Sequence, residues 1–376
     1  SCSSSASPEL AVERALARPR DRHQAPRPTR RRIRLMIVDD SMVARAVLSR
    51  MVESDSAFEI AAVAGTAEDA IDALHEVRVD IVILDLEMPG AGGLKSIPRI
   101  IAAAAGAKVM IVSSLAEEGA EETVAALALG AADTLPKPGT GRFNGKFSEI
   151  LVAKLKALGY AEGRTTFASR TEVGLQAPLR AMPSDPIDIL AIGASTGGIH
   201  AIGTLFQALP KRIGIPILIT QHLPEPFMPV FARQLRAMTG REAHVAEDGM
   251  PLLPDRILLA PGDAHLTVDH SDEVPVVRLL RGPTTSGCMP SVDPMFASIG
   301  VAYGPRAVGV ILTGMGRDGV EGASRLVANG GSVLAQDETS CAVWGMPRAV
   351  LEAGLACAAL PPDKIARRIA SRTEGQ

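Results

Sequence analysis

The stretch ILAIGASTGGIHAI, residues 189–202, decides how the second half of the chain is read. An apolar run stops at Gly193, Ser195 follows, and after Gly197 and Gly198 the apolar residues take helical spacing. Gly193-Ala194-Ser195-Thr196-Gly197 satisfies G-x-S-x-G between a strand and a helix, the context of a nucleophile elbow. The same turn suits a phosphate, because a glycine-bearing helix N-terminus attracts anions. The motif alone leaves both readings open.

The strands that follow favour the nucleophile. IPILITQH ends in His222, and GVILTGMGRDG places Asp318 just past another apolar run. If these strands are parallel, Ser195, His222 and Asp318 share one edge of a sheet. A serine needs a base to attack, and the base needs a carboxylate to hold its tautomer. The chain order Ser, His, Asp differs from the Ser…Asp…His order of α/β-hydrolases. A dinucleotide fingerprint would need a glycine where Ser195 stands. His200, on the helix after the turn, reads as structural or solvent-facing, and His244, His265 and His270 show no partner spacing.

Further along, RILLAPG, AVGVILTGMG, GSVLAQD and a last helix PDKIARRIASR continue a β/α alternation. The first half has the same rhythm. RLMIVDD ends in two carboxylates, and SMVARAVLSRMVES is a helix with Ser41 as N-cap. FEIAAVAG, DIVILDLEMPG, KVMIVSSL and GAADTLPKP are strands, AEDAIDALHEV and SEILVAKLKAL helices. Apolar strands alternating with helices predict an α/β protein with parallel sheets covered on both faces. We expect four segments: a disordered basic extension at 1–32, a doubly wound (βα)5 domain at 33–158, a linker at 159–186 and a second α/β domain at 187–372.

Composition narrows the function. The chain has 376 residues, 47% apolar, with 39 basic and 42 acidic side chains. That excludes a disordered protein and argues against nucleic acid or a polyanion as partner. No apolar run approaches the ~20 residues of a membrane span, so no membrane insertion is expected. Cys2, Cys288, Cys341 and Cys357 show no metal-ligand spacing along the chain, and a reducing cytoplasm is the expected home. Residues 1–32 carry eight arginines against three acidic residues, with no apolar core of a targeting peptide.

In the first domain Asp39, Asp40 and Asp85 follow strands, as do Ser113 and Lys137. In an open parallel sheet such groups gather at the carboxyl ends of the strands. Three clustered carboxylates need a cation, and Mg²⁺ prefers oxygen ligands. A carboxylate can then take a phosphoryl group as an acyl phosphate. The alternative is that the acidic residues only cap the next helices. Asp-Asp, then D-x-x-M-P, then Lys-Pro, each after an apolar strand, resembles the response-regulator receiver family over about 33–158. The resemblance implies phosphorylation at Asp85, Mg²⁺ on Asp39, Asp40 and Asp85, and sensing of the phosphoryl group by Ser113 and Lys137. Thr134 stands where many receivers have an aromatic switch residue.

In the second domain IGASTGG, TQHLP, APGDAHL, PSVDPMF, ILTGMGRDG and AQDETSCAVWGMP occur in order. Over about 187–370 they look like the chemotaxis protein-glutamate methylesterase family, CheB. That resemblance implies Ser195 as nucleophile, His222 as general base and acid and Asp318 as its orienter. Thr196 and the backbone near Met315 would surround the oxyanion. It implies glutamate methyl esters (and glutamines) on chemoreceptor cytoplasmic helices as substrates, and a chemotaxis histidine kinase as phosphodonor. It also implies a receiver that covers the cleft until phosphorylated, with no cofactor beyond Mg²⁺ at the receiver. Met289 stands where an arginine is expected. A non-catalytic phospho-dependent adaptor and a constitutive esterase are the competing readings.

Overall fold

A computed structural model describes residues 31–88, 92–113, 117–137, 145–160, 178–270 and 274–373. Residues 1–30 and 161–177, most of the expected extension (1–32) and linker (159–186), lie outside the described residues.

The first sheet holds β1 (Ile33–Val38), β2 (Phe58–Ala64), β3 (Ile81–Leu84), β4 (Lys108–Ser113) and β5 (Asp133–Pro136), all parallel, in the order β2-β1-β3-β4-β5. The helices are α1 (Met42–Glu53), α2 (Ala67–Glu76), α3 (Gly93–Ala103), α4 (Glu117–Ala128) and α5 (Gly145–Tyr160). Ser41 caps α1 as expected, its hydroxyl accepting from Ala44 N. The inner strands β3 and β4 are buried on both faces, as their apolar runs require, while the edge strand β2 leaves Glu59 and Val63 exposed. Leu35, Ile37, Ile81 and Ile83 pack against Leu48, Leu151 and Leu155 of α1 and α5. Met36, Val38, Val82 and Leu84 face Ile71, Ile97, Ile100 and Val124 of α2, α3 and α4.

The second sheet has seven parallel strands in the order β14-β13-β12-β6-β7-β9-β8. They are β6 (Ile189–Ala194), β7 (Ile217–Gln221), β8 (Ala243–Val245), β9 (Ile257–Leu259), β12 (Ala307–Ile311), β13 (Ser332–Gln336) and β14 (Ala358–Leu360). Helices α6 (Gly198–Ala208), α7 (Met228–Thr239), α8 (Val292–Tyr303), α9 (Val320–Ala328), α10 (Met346–Glu352) and α11 (Pro362–Ala370) surround it. A two-stranded antiparallel ribbon, β10 (His265–Asp269) with β11 (Val276–Leu280), adds to the parallel design expected from the sequence. Each of its strands has about five residues, too few for periodicity to separate from the apolar runs around it.

The core under α2–α4 does not stop at the first sheet. It runs on through Ile199, Ile202, Leu223, Phe227 and Phe231 of the second domain. Each such side chain contributes roughly 1.5–3 kcal/mol when fully buried. The two sheets are therefore joined by shared apolar packing.

Candidate functional site

In doubly wound sheets ligands bind where the strand order reverses. The chain builds the first sheet from β1 outward to β2, then returns to β3, so the switch lies between β1 and β3. Asp39 follows β1 and Asp85 follows β3, and they are only 1% and 3% exposed. Oxygens of Asp39, Asp40 and Asp85 lie within 4.8 Å of one another. Lys137, after β5, donates from Nζ to Asp85 Oδ2 at 2.6 Å and to Asp39 Oδ2 at 3.2 Å. Burial pushes Asp85 up to about 6, against the opposing pull of Lys137.

Ser113 is placed differently from a residue aimed at Asp85. Its hydroxyl lies 2.5 Å from Thr123 Oγ1 on α4, which itself donates to Gly119 O at 2.6 Å. Ser113 is therefore the donor, and it ties the end of β4 to α4. Thr134 is buried in β5, with an Oγ1 that lacks a hydrogen-bond partner.

The second switch lies between β6 and β12. Ser195 follows β6, His222 follows the neighbouring β7, and Asp318 follows the loop after β12. The elbow is held by its neighbours. Ser195 N donates to Thr313 O, and Ser195 O accepts from Gly198 N and from Gln221 Nε2 at 2.9 Å. Thr313 Oγ1 donates to Thr196 O at 2.9 Å. Gly197 has φ +77°, and a Cβ there would strike Ala342. At Gly198 a Cβ would overlap the Gln221 amide oxygen. The turn thus needs its glycines for shape, which the phosphate reading also required.

His222 Nε2 is 2.7 Å from Asp318 Oδ2. Asp318 is buried and also accepts from Ser291 Oγ at 2.6 Å and Val292 N at 2.8 Å. Burial alone would raise its pKa, but His222 and these donors hold it well below the usual carboxylate range. Burial lowers the His222 pKa, yet the hydrogen bond it donates to Asp318, followed by the interaction with Cys288, carries it up to about 9. Ser291 N in turn donates to His265 Nδ1, and His265 Nε2 faces Gly282 O, each at 2.9 Å. His265, which showed no partner spacing in the sequence, is thus a strut for the residue that holds Asp318.

Ser195 and His222 share one cavity, but no hydrogen bond links the hydroxyl to the imidazole in this arrangement. The cavity is about 10 Å³, room for roughly one water. Leu127, Ala131, Ala132, Asp133 and Thr134 of the first domain form one wall. Ala132 O accepts from Gly197 N at 2.6 Å, and Asp133 Oδ2 accepts from the Thr196 hydroxyl at 2.6 Å. Asp133 is also paired with Lys154 at 2.7 Å. Arg233 of α7 pairs with Glu121 of α4 at 2.6 Å, and His200 Nδ1 lies 3.3 Å from Ala128 O. His200 is therefore exposed but engaged with the other domain. Thr196, expected to border an oxyanion, follows Ser195 in the turn, but its hydroxyl is turned to Asp133 of the first sheet. The Met315 side chain is largely exposed, while Gly314 packs so closely that a Cβ there would meet Ser195. A cavity of about 670 Å³ between β10–β11, α8 and α9 contains none of Ser195, His222 and Asp318.

Both halves of the chain have known relatives. Residues 35–142 match the response regulator receiver domain and residues 190–369 match CheB methylesterase. The chain is similar to "Protein-glutamate methylesterase/protein-glutamine glutaminase 1" of Paramagnetospirillum magneticum, at 39% identity over 91% of this chain and 96% of that protein. It is 40% identical to "Protein-glutamate methylesterase/protein-glutamine glutaminase 2" of Caulobacter vibrioides over 90% of this chain and 99% of that protein. Among solved structures, the Thermotoga maritima CheB methylesterase catalytic domain matches at 34% identity and a TM-score of 0.48, over 49% of this chain and 98% of that one. The fold pairs a receiver with a methylesterase domain. The chain belongs to the CheB methylesterase family.

Proposed function

We propose that this protein is a phosphorylation-activated protein-glutamate methylesterase and protein-glutamine glutaminase acting on chemoreceptor cytoplasmic helices in the cytoplasm. The observation that carries the reading is the His222–Asp318 pair, 2.7 Å apart beside the Ser195 elbow. Asp318 occupies Nε2, so Nδ1 is the nitrogen that takes the serine proton. Ser195 Oγ attacks the ester carbonyl, and His222 then protonates the departing methoxide, giving methanol and an acyl-serine. A water deprotonated by His222 releases the glutamate. Backbone N–H groups of Gly197 and of Met315 border the place where negative charge develops, each donor being worth about 3 kcal/mol. A glutamine side chain follows the same route with ammonia leaving. No described helix is long and apolar enough to cross a membrane.

The arrangement corresponds to the inactive state. The Ala132 carbonyl occupies Gly197 N–H, and a space of about 10 Å³ cannot admit a glutamyl ester. Asp39, Asp40 and Asp85 supply only hard oxygen donors, which fits Mg²⁺. Asp39, Asp40 and Asp85 would hold such an ion, which would supply positive charge to offset the phosphoryl oxygens at Asp85. A phosphoryl group on Asp85 draws Lys137 and the Ser113 hydroxyl toward it. That breaks the Ser113–Thr123 link to α4, the helix that contacts α6 and α7. Phosphorylation by a chemotaxis histidine kinase shifts the closed–open population by its differential affinity for the two states.

Methanol release from methylated receptor cytoplasmic fragments tests the reading, for wild type and Ser195→Ala, with and without acetyl phosphate. Serine-dependent release that rises with the phosphodonor is expected. Equal release from Ser195→Ala would sink it.

A further inference from the structure

The proposed chemistry uses His222 and Asp318 but gives no role to the thiol beside them. His222, Cys288 and Asp318 each bring one metal-competent atom within 4.8 Å of the others. They come from the ends of β7 and β12 and from the exposed loop 281–290 before α8. Cys288 is a free, half-buried thiol, and Asp318 is buried. We propose that these three side chains form an inhibitory site for a borderline-soft divalent cation, Zn²⁺ in particular.

The donor set is one sulfur, one nitrogen and one oxygen. That combination selects zinc over Mg²⁺ or Ca²⁺, which take oxygens. A thiolate and a carboxylate with a neutral imidazole balance the two positive charges. Zinc binds such ligands at about 2.0–2.3 Å, so bonded ligand atoms stand roughly 3–4 Å apart. The cluster, within 4.8 Å now, closes by less than about 2 Å to reach that spacing. The side that has to move is able to: Gly282 and Gly287 in the Cys288 loop have open space around them, and Gly287 is at φ +70°. The side that must stay is anchored, since Ser291 Oγ and Val292 N hold the Asp318 carboxylate. Outer contacts of this kind orient metal ligands.

The inhibitory consequence rests on the reading of His222 as general base; the metal site does not. Whichever ring nitrogen the metal takes, the other keeps the ring proton. No imidazole lone pair then remains for the Ser195 proton.

The test titrates the full-length protein with Co²⁺ and follows the thiolate-to-cobalt charge-transfer band in the near ultraviolet. Wild type and Cys341→Ser should show the band, and Cys288→Ser should not. In parallel, methanol release is measured against Zn²⁺ with excess Mg²⁺ present, each variant normalised to its own zinc-free rate. Cys288→Ser should raise the half-inhibitory zinc concentration roughly tenfold or more. An unchanged band in Cys288→Ser, or the same zinc sensitivity as wild type, overturns the proposal. A Cys288-dependent band in a protein that releases no methanol from receptors would uphold the metal site and reject the esterase reading.

Discussion

The Thr196 hydroxyl, one residue beyond Ser195, donates to the Asp133 carboxylate of the receiver at 2.6 Å. The receiver thus holds the Ser195 turn by a charge-assisted bond and not only by covering it. Such bonds are worth about 1.5–3 kcal/mol. Their energy is available to bias closed against open states.

Removing that bond should release the enzyme. Asp133→Ala is expected to raise the methanol release rate without phosphodonor about tenfold, and to shrink the stimulation by acetyl phosphate. Steady-state assays of both states read this directly. An unchanged basal rate would mean that the other contacts, the Ala132–Gly197 bond, the Arg233–Glu121 pair and the apolar packing of α4, do the blocking.

Asp318 has a different role. It holds the imidazole tautomer and is itself held by Ser291 and Val292. Asp318→Asn is expected to lower kcat on the order of 10⁴-fold, as loss of a triad carboxylate does elsewhere. Ser291→Ala, which removes one of the carboxylate's donors, should cost far less. Comparable losses for the two would contradict the assignment.

The His222 pKa of about 9 has two readable signs. Only the neutral imidazole is a base, so the unphosphorylated rate should rise with pH, with a midpoint well above the ordinary value of about 6.5. A midpoint at or below that value would contradict the buried ion pair. For stability the sign is opposite. A raised histidine pKa stabilises the fold fully below about 6.5, and the contribution fades as pH rises through about 9. Thermal unfolding of wild type should fall over that range, and His222→Gln should lack this component.

The elbow tolerates no added methyl group. Gly198→Ala would drive a Cβ into the Gln221 amide and against Ala194. Overpacking of this kind costs roughly 1–3 kcal/mol, and here it moves the strand end that carries Ser195. A lower melting temperature together with a fall in kcat is expected from calorimetry and kinetics.

Much of this site was legible in the sequence because parallel strands place consecutive strand ends on one edge. Ser195 and His222 follow apolar strands directly, as do Asp39, Asp85 and Lys137, and Asp318 lies in the loop after β12, so the strand pattern predicted their neighbourhood. What was hidden depends on contacts that no local pattern encodes. The antiparallel ribbon β10–β11 was too short to read. Asp133 looked like a residue of a short strand, and nothing near it pointed to Thr196. Ser113 stood where a phosphoryl sensor belongs, but its link to Thr123 on α4 needed the folded helix. The APGDAHL and PSVDPMF motifs contained His265 and Ser291 without revealing that one props the other. Cys288 showed no spacing to a second ligand because its neighbours His222 and Asp318 lie in other loops of the sheet edge.

The central claim is that the receiver shuts Ser195 away and that phosphorylation opens it. The most direct measurement is the rate at which a fluorophosphonate probe labels Ser195 in the full-length protein, with Mg²⁺, before and after acetyl phosphate. Labelling that is slow at first, accelerates with the phosphodonor and fails to accelerate in Asp85→Asn is the result this account predicts. Equal labelling rates with and without phosphodonor in wild type would contradict it.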